Sequence, residues 1–144
     1  MDFIVKFRDR VGTLKNFLSN ENFKACSNLS TDLIRASEFA GFSEGIFVGE
    51  IFEAIFTNFR QMAMRFELDK NDVAKIQEVT IPVIDFVQSN FPLNSKDKRA
   101  TLFELLLKAR CTATEIQIMY FREKPLKKPP RSYPSSVEIE EIEG

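Results

Sequence analysis

The residue types that most often carry catalysis are scarce in this chain. Its 144 residues include no histidine and no tryptophan. Histidine is the commonest general base near neutral pH and the commonest metal ligand, so Ser-His-Asp, Cys-His and Glu-x-x-His sites are excluded. The two cysteines, Cys26 and Cys111, have a separation that matches no zinc or redox motif. We therefore expect no catalytic residue, no metal and no cofactor, and cysteines that act as small apolar side chains.

Two pairs of carboxylates are the remaining candidates for acid–base or metal chemistry. Glu50 and Glu53 lie three residues apart, as do Asp69 and Asp72. The pairs resemble the acidic metal cluster of all-helical nucleotide pyrophosphohydrolases of the MazG kind, and this resemblance implies a metal-dependent hydrolase. However, at 1.5 Å per residue Glu50 lies about 24 Å along a helix from Phe66, near which Asp69 begins the next helix. This distance is expected to keep the two pairs apart, so a metal-dependent hydrolase is the least favoured of the three functions considered for this chain.

The composition indicates a globular protein without a strong electric field. The hydrophobic share is 44%, the charged share is 28%, and the net charge is -1. Such a balance does not attract the chain to nucleic acid as a whole. The most apolar stretch, residues 46–66, contains Glu50, Glu53 and Arg60, each of which would cost about 2.5–3.5 kcal/mol at the centre of a bilayer. We expect a soluble, cytoplasmic protein that does not bind membranes.

The spacing of the apolar residues, including fifteen phenylalanines, predicts an all-α fold. Apolar positions three or four apart predict five helices, at about residues 2–18, 21–40, 43–66, 71–91 and 95–122. Gly41 is expected to end the second helix, Ser43 to cap the third, and Pro82 to kink or restart the fourth. The short links favour a single-domain antiparallel bundle over residues 1–123.

The third helix is expected to be central, because apolar residues surround so much of its girth that it needs cover on two sides. Gly45 and Gly49 on this helix are spaced four apart. Small residues at that spacing allow a neighbouring helix to approach closely. We interpret the glycine pair as a packing feature and not as a ligand site.

The end of the fifth helix is apolar around its whole axis. The residues responsible are Ile116, Ile118, Met119, Tyr120 and Phe121. One neighbouring helix cannot cover such a segment, and uncovered apolar patches commonly mark interfaces. Either the C-terminal tail or a second chain is expected to cover it.

The tail, residues 124–144, is basic and proline-rich at first and acidic at its end. Burying its few apolar groups does not offset the backbone entropy lost on ordering it, so we expect it to be mobile or docked on a partner. Its candidate partner-binding residues are Tyr133, Val137, Ile139 and Ile142.

These features favour a non-enzymatic protein–protein interaction or adaptor protein, with homo-oligomerisation as one form of it. The proposed contacts are the end of the last helix and the tail. The alternative is a small helical nucleic-acid-associated factor, whose binding would fall steeply with added salt. Its contacts would be basic residues of the first helix and of the start of the fifth, namely Lys6, Arg8, Arg10, Lys15, Lys96, Lys98 and Arg99.

Overall fold

The structure, a computed structural model, describes residues 2–127. Within that range the chain forms five α-helices and no strand. The helices are α1 (Asp2–Ser19), α2 (Phe23–Ala40), α3 (Ser43–Arg65), α4 (Lys70–Asn90) and α5 (Lys96–Glu123). The predicted all-α class is confirmed, and each of the five predicted helices is present.

Local capping explains where α2 and α5 begin. Asn22 accepts a hydrogen bond from the backbone N–H of Ala25 at 3.1 Å, and Ser95 accepts one from the N–H of Lys98 at 3.2 Å. Both side chains satisfy N–H groups that have no partner within their own helix. Gly41 ends α2 in the left-handed conformation, with φ of 69°, as the sequence predicts.

The prediction that Ser43 caps α3 is wrong. Phe42 occupies the N-cap position without a side-chain capping bond, and Ser43 is the first residue of the helix. The ring of Phe42 packs instead against Phe3 and Phe91, at centroid distances of 5.1 and 5.5 Å. Aromatic packing therefore fixes this turn in place of a polar cap.

Helix α4 continues through Pro82 and does not restart there. A proline at this position removes one backbone hydrogen bond, to the carbonyl of Glu78. Pro82 and Glu78 are both exposed, so solvent can satisfy that carbonyl. The cost of the proline is thereby reduced, and the buried side of α4 stays continuous.

The closest helix contacts are those of α2 with α3, of α4 with α5, of α1 with α4 and of α1 with α2. Along α1 and α4 the contacts run in opposite directions, from Arg8 beside Gln88 to Leu18 beside Gln77. The side chains that face the common interior are mainly aromatic and branched aliphatic. The bulkiest of them are Phe52, Phe56, Phe59, Phe66, Phe91 and Tyr120.

Helix α3 approaches α2 closely at its two glycines. A Cβ atom at Gly49 would lie 2.7 Å from Cγ1 of Ile34 and 3.1 Å from its backbone nitrogen, and a Cβ at Gly45 would meet the Ser37 hydroxyl. Gly45 and Gly49 therefore permit the helix contact that their spacing predicts. One helical turn further on, Thr31 donates a hydrogen bond to Glu53 at 3.0 Å across the same pair of helices.

We predict opposite effects for alanine at Gly49 and at Gly12. Gly49→Ala should lower the free energy of unfolding by about 1–3 kcal/mol, because the backbone of Ile34 cannot move aside. A Cβ at Gly12 would meet only the end of the Gln88 side chain, at 2.6 Å. Gly12→Ala should leave stability unchanged or raise it by up to about 1 kcal/mol through helix propensity. Urea unfolding followed by circular dichroism tests both, and equal destabilisation by the two variants would contradict this packing.

Candidate interaction surface

The structure separates the predicted partner-binding residues of α5 into two groups. Ile116 and Tyr120 are buried within the chain, and Met119 is half-buried. Ile118 and Phe121 are exposed, at 49% and 51%. Ile116 and Tyr120 are therefore not accessible to a partner in this structure, whereas Ile118 and Phe121 are.

The other predicted partner-binding residues belong to the tail and lie outside the described residues. They are Tyr133, Val137, Ile139 and Ile142. The described part of the tail, residues 124–127, extends along the end of α3. Lys127 donates its backbone N–H to the carbonyl of Arg65 at 2.6 Å and its ammonium group to the carbonyl of Ala63 at 2.7 Å. A cation at the C-terminal end of a helix is favourable, so this contact attaches the start of the tail to α3.

Tyr120 is buried because its hydroxyl has two partners. The hydroxyl donates to Oδ2 of Asp72 at 2.6 Å and accepts from the backbone N–H of Asp69 at 2.7 Å. Its ring packs edge-on against Phe66, at a centroid distance of 5.5 Å. These contacts join the end of α5 to the start of α4. The sequence pattern identified Tyr120 as apolar but carried no signal that its hydroxyl pairs with Asp72.

Helix α5 has apolar residues on two opposite faces. The buried face consists of Leu102, Ala109, Ile116 and Tyr120. At about 100° per residue, a second set of side chains lies within an arc of about 80° on the opposite side of the helix. We name this set the outer stripe: Phe103, Leu107, Cys111, Thr114, Ile118 and Phe121. All six are exposed, and Leu107 reaches 65%.

Charged side chains follow one edge of the outer stripe. Glu104, Lys108, Glu115 and Arg122 lie within an arc of about 40°, and all four are exposed. We name this row the charged edge. The one ion pair in residues 2–127 joins Lys15 to Asp85 at 2.8 Å, so the charged edge has no ion pair within this part of the chain. The sequence alone did not reveal the charged edge, because its pattern becomes visible only once the buried face is known.

A groove of about 360 Å³ separates α3 from α5 on the other edge of the outer stripe. The two helices meet at its ends, where Phe47 contacts Phe103 and Phe66 contacts Phe121, at centroid distances of 6.1 and 5.2 Å. Its lining combines aliphatic side chains with the polar residues Glu50, Asn58, Arg110 and Thr114. The expected cover of α3 on two sides is therefore tight against α2 and open against α5. Because α1, α2 and α4 each pack closely on two helices and α3 packs closely on α2, the prediction that α3 is the central helix is wrong.

The two carboxylate pairs have separate structural roles. Glu53 accepts the hydrogen bond from Thr31, Asp69 caps α4 by accepting from Asn71 at 2.7 Å, and Asp72 accepts from Tyr120. Glu50 lines the groove. Among residues 2–127, no three or more Asp, Glu or Cys side chains come close enough to hold a metal ion. Within this range, Glu50 and Glu53 therefore do not form a metal-binding group with Asp69 and Asp72.

Several basic residues of the nucleic-acid alternative are engaged within the chain. Arg8 donates to the carbonyl of Gln88 at 2.8 Å, Lys15 pairs with Asp85, and Arg99 donates to the carbonyl of Leu93 at 2.9 Å. Such contacts hold helix ends and connections in place. No contact within residues 2–127 favours a nucleic-acid surface, so this alternative stays a prediction.

Removal of the Tyr120 hydroxyl should destabilise the protein. Tyr120→Phe leaves the buried carboxylate of Asp72 without its donor, and we expect a loss of about 1–3 kcal/mol in the free energy of unfolding. Urea unfolding near neutral pH measures this loss. An unchanged unfolding midpoint would show that the hydrogen bond to Asp72 does not contribute to stability.

Alkaline pH should weaken the same contact. Burial, together with the hydrogen bond to Asp72, raises the pKa of Tyr120 to about 12 from the ordinary value of 10. The unfolded chain then loses the phenolic proton at lower pH than the folded chain does. The stabilisation is therefore complete below pH 10 and is lost as pH rises towards 12. Ultraviolet titration of the phenolate, taken as the difference between wild type and Tyr120→Phe, should show this late ionisation, and a midpoint near the ordinary value would contradict it.

Comparisons of the chain with protein-family models, with curated proteins and with solved structures gave no match. No helix within residues 2–127 has the length and apolar character needed to cross a membrane. The function must therefore be inferred from the outer stripe, the charged edge and the groove.

Proposed function

We propose that this chain is a non-enzymatic protein–protein interaction or adaptor protein, and that it binds through the outer stripe of α5. The observation that supports the proposal is the exposure of four large apolar side chains on one face of one helix. Phe103, Leu107, Ile118 and Phe121 are each about half exposed or more. Several large apolar side chains exposed on one face of a helix are unfavourable in water and are a common property of interaction sites.

The position of the outer stripe supports the same proposal. It lies opposite the buried face of the helix, so a partner can reach it without any rearrangement of the other four helices. Its two terminal rings pack against Phe47 of α3 and Phe66, the residue directly after α3, and these contacts limit their motion. Side chains that are already held in place lose less conformational entropy on binding.

The five helices would act as the scaffold for this surface. We propose the up-and-down antiparallel bundle that the short connections favour, as a single domain. The contacts between α1 and α4, which run in opposite directions along the two helices, support this arrangement. The close approach of Gly45 to Ser37 and of Gly49 to Ile34 also supports it. Such a scaffold orients α5 without supplying any reacting group.

Replacing two residues of the outer stripe should abolish binding without unfolding the protein. The double variant Leu107→Ser/Ile118→Ser removes apolar surface that is already exposed, so circular dichroism and the unfolding midpoint should change little. Phe39→Ser on α2 is the matched control, because Phe39 is 96% exposed and lies outside the stripe. When each protein is immobilised, wild type and the Phe39→Ser control should retain the same binding partners, which include further copies of the chain. The double variant should retain far smaller amounts of these partners. Equal retention by all three would refute the proposed site.

The tail is the second part of the proposed binding surface. Truncation after Lys127 keeps the contacts of that residue with Ala63 and Arg65 and removes Tyr133, Val137, Ile139 and Ile142. We expect weaker retention of partners on the truncated protein. If both the retained proteins and the oligomeric state match those of the full chain, then the tail has no part in binding.

A further inference from the structure

We propose that the outer stripe pairs with the outer stripe of a second copy of this chain, with the two α5 helices antiparallel about a two-fold axis. This inference rests on the proposed function, because it names the partner of the same surface. Two independent patterns support it: the spacing of the apolar residues and the order of the charges.

The residues of the outer stripe are spaced symmetrically about a centre near residue 112. Leu107 and Ile118 are centred between residues 112 and 113, and so are Cys111 and Thr114. Phe103 and Phe121 are centred on residue 112. In an antiparallel pair about that centre, Leu107 faces Ile118 of the second copy and each phenylalanine faces the phenylalanine at the other end. A surface that fits itself in this way is what a two-fold interface requires.

The charged edge is complementary to itself about nearly the same centre. In an antiparallel two-fold pair, each edge of a helix faces the same edge of its partner. Glu104 and Arg122 are centred on residue 113, and Lys108 and Glu115 are centred between residues 111 and 112. Each acidic residue of one copy would therefore lie opposite a basic residue of the other. The pairing would give four interchain ion pairs from groups that have none within residues 2–127.

The parallel arrangement matches fewer of these charges. In a parallel pair, the charged edge of one helix faces the opposite edge of the other, where Arg110 and Gln117 lie. Between residues 103 and 121 Arg110 is the one charged residue on that opposite edge, so a parallel pair could form two interchain ion pairs, between Arg110 and Glu115, against four in the antiparallel pair. The order of charges thus favours the antiparallel arrangement.

The outer stripe extends over the greater part of α5. From Phe103 to Phe121 the outer stripe extends for about 27 Å, at 1.5 Å per residue. The exposed residues of the stripe are apolar towards both ends, with Phe103 and Leu107 at one end and Ile118 and Phe121 at the other. The small residues Cys111 and Thr114 lie at the centre. Small side chains at the centre allow the two helix axes to approach.

Charge reversal on the full-length chain tests the arrangement. Glu104→Lys places a lysine opposite Arg122 twice in each dimer, and Arg122→Glu places a second glutamate opposite Glu104 twice. Sedimentation analysis should show a rise of about tenfold or more in the dimer dissociation constant for each variant alone. An equimolar mixture should recover dimers, because the mixed dimer contains opposite charges at both contacts. Glu123→Lys, which lies off the charged edge, is the control and should dimerise like wild type.

Cross-linking provides a second measurement that does not depend on charge. Cys111 of one copy should face residue 114 of the other. Wild type mixed with Cys111→Ala/Thr114→Cys should therefore form an interchain disulfide faster than either protein alone, since the mixed dimer brings Cys111 opposite a cysteine at position 114. The buried Cys26 does not compete for this reaction. Faster cross-linking of wild type alone would indicate the parallel arrangement and would overturn the proposal.

The outcomes distinguish this inference from the function on which it rests. If wild type is monomeric while Leu107→Ser/Ile118→Ser still abolishes binding of other proteins, self-pairing is wrong and the outer stripe remains an interaction site. If wild type is monomeric and no binding depends on the stripe, both are wrong. A dimer whose dissociation constant is unchanged by Glu104→Lys and by Arg122→Glu would also overturn the antiparallel pairing.

Discussion

The hydrogen bonds of the Tyr120 hydroxyl join the end of α5 to the start of α4. The hydroxyl donates to Asp72 and accepts from the N–H of Asp69, and the Tyr120 ring is buried on the same face of α5 as Leu102 and Ile116. Further side chains of the helix are partly buried against the core as well, namely Leu105, Leu106, Ala113 and Met119. Hydrophobic burial and the polar contact of Tyr120 therefore favour the same rotation of α5, and the outer stripe is the face that remains.

Unequal packing around α3 explains why the exposed surface occurs on this side of the molecule. Against α2, the missing side chains of Gly45 and Gly49 bring the helices into backbone contact. Against α5, the aromatic pairs at the two ends keep the helices apart, and the groove with Glu50 and Arg110 lies between them. Helix α5 is therefore attached mainly through α4 and its own ends. Its free face and the neighbouring groove form one continuous region that is open to solvent.

The sequence predicts the helices well because their apolar periodicity is strong and local. The left-handed Gly41 and the start of α5 at Ser95 follow from residue type in the same way. The cap at Ser43 does not, since aromatic packing of Phe42 with residues distant in sequence replaces it. Ile116 and Tyr120 are expected among the partner-binding residues, because the last turns of α5 are apolar around the whole axis. Their spacing from Leu102 and Ala109 places them on the face that the structure buries, whereas the hydrogen bond of Tyr120 to Asp72 has no signal in the sequence.

The two thiols of the chain differ completely in accessibility. Cys26 lies among α1 and α2 side chains with no exposed surface, and burial raises the pKa of its thiol to about 12. It is therefore inert towards alkylating reagents while the helices remain folded. Cys111 is exposed near the centre of the outer stripe. A maleimide dye would consequently label the native protein at one known position, and it would place the fluorophore at the centre of the surface where association is expected to occur.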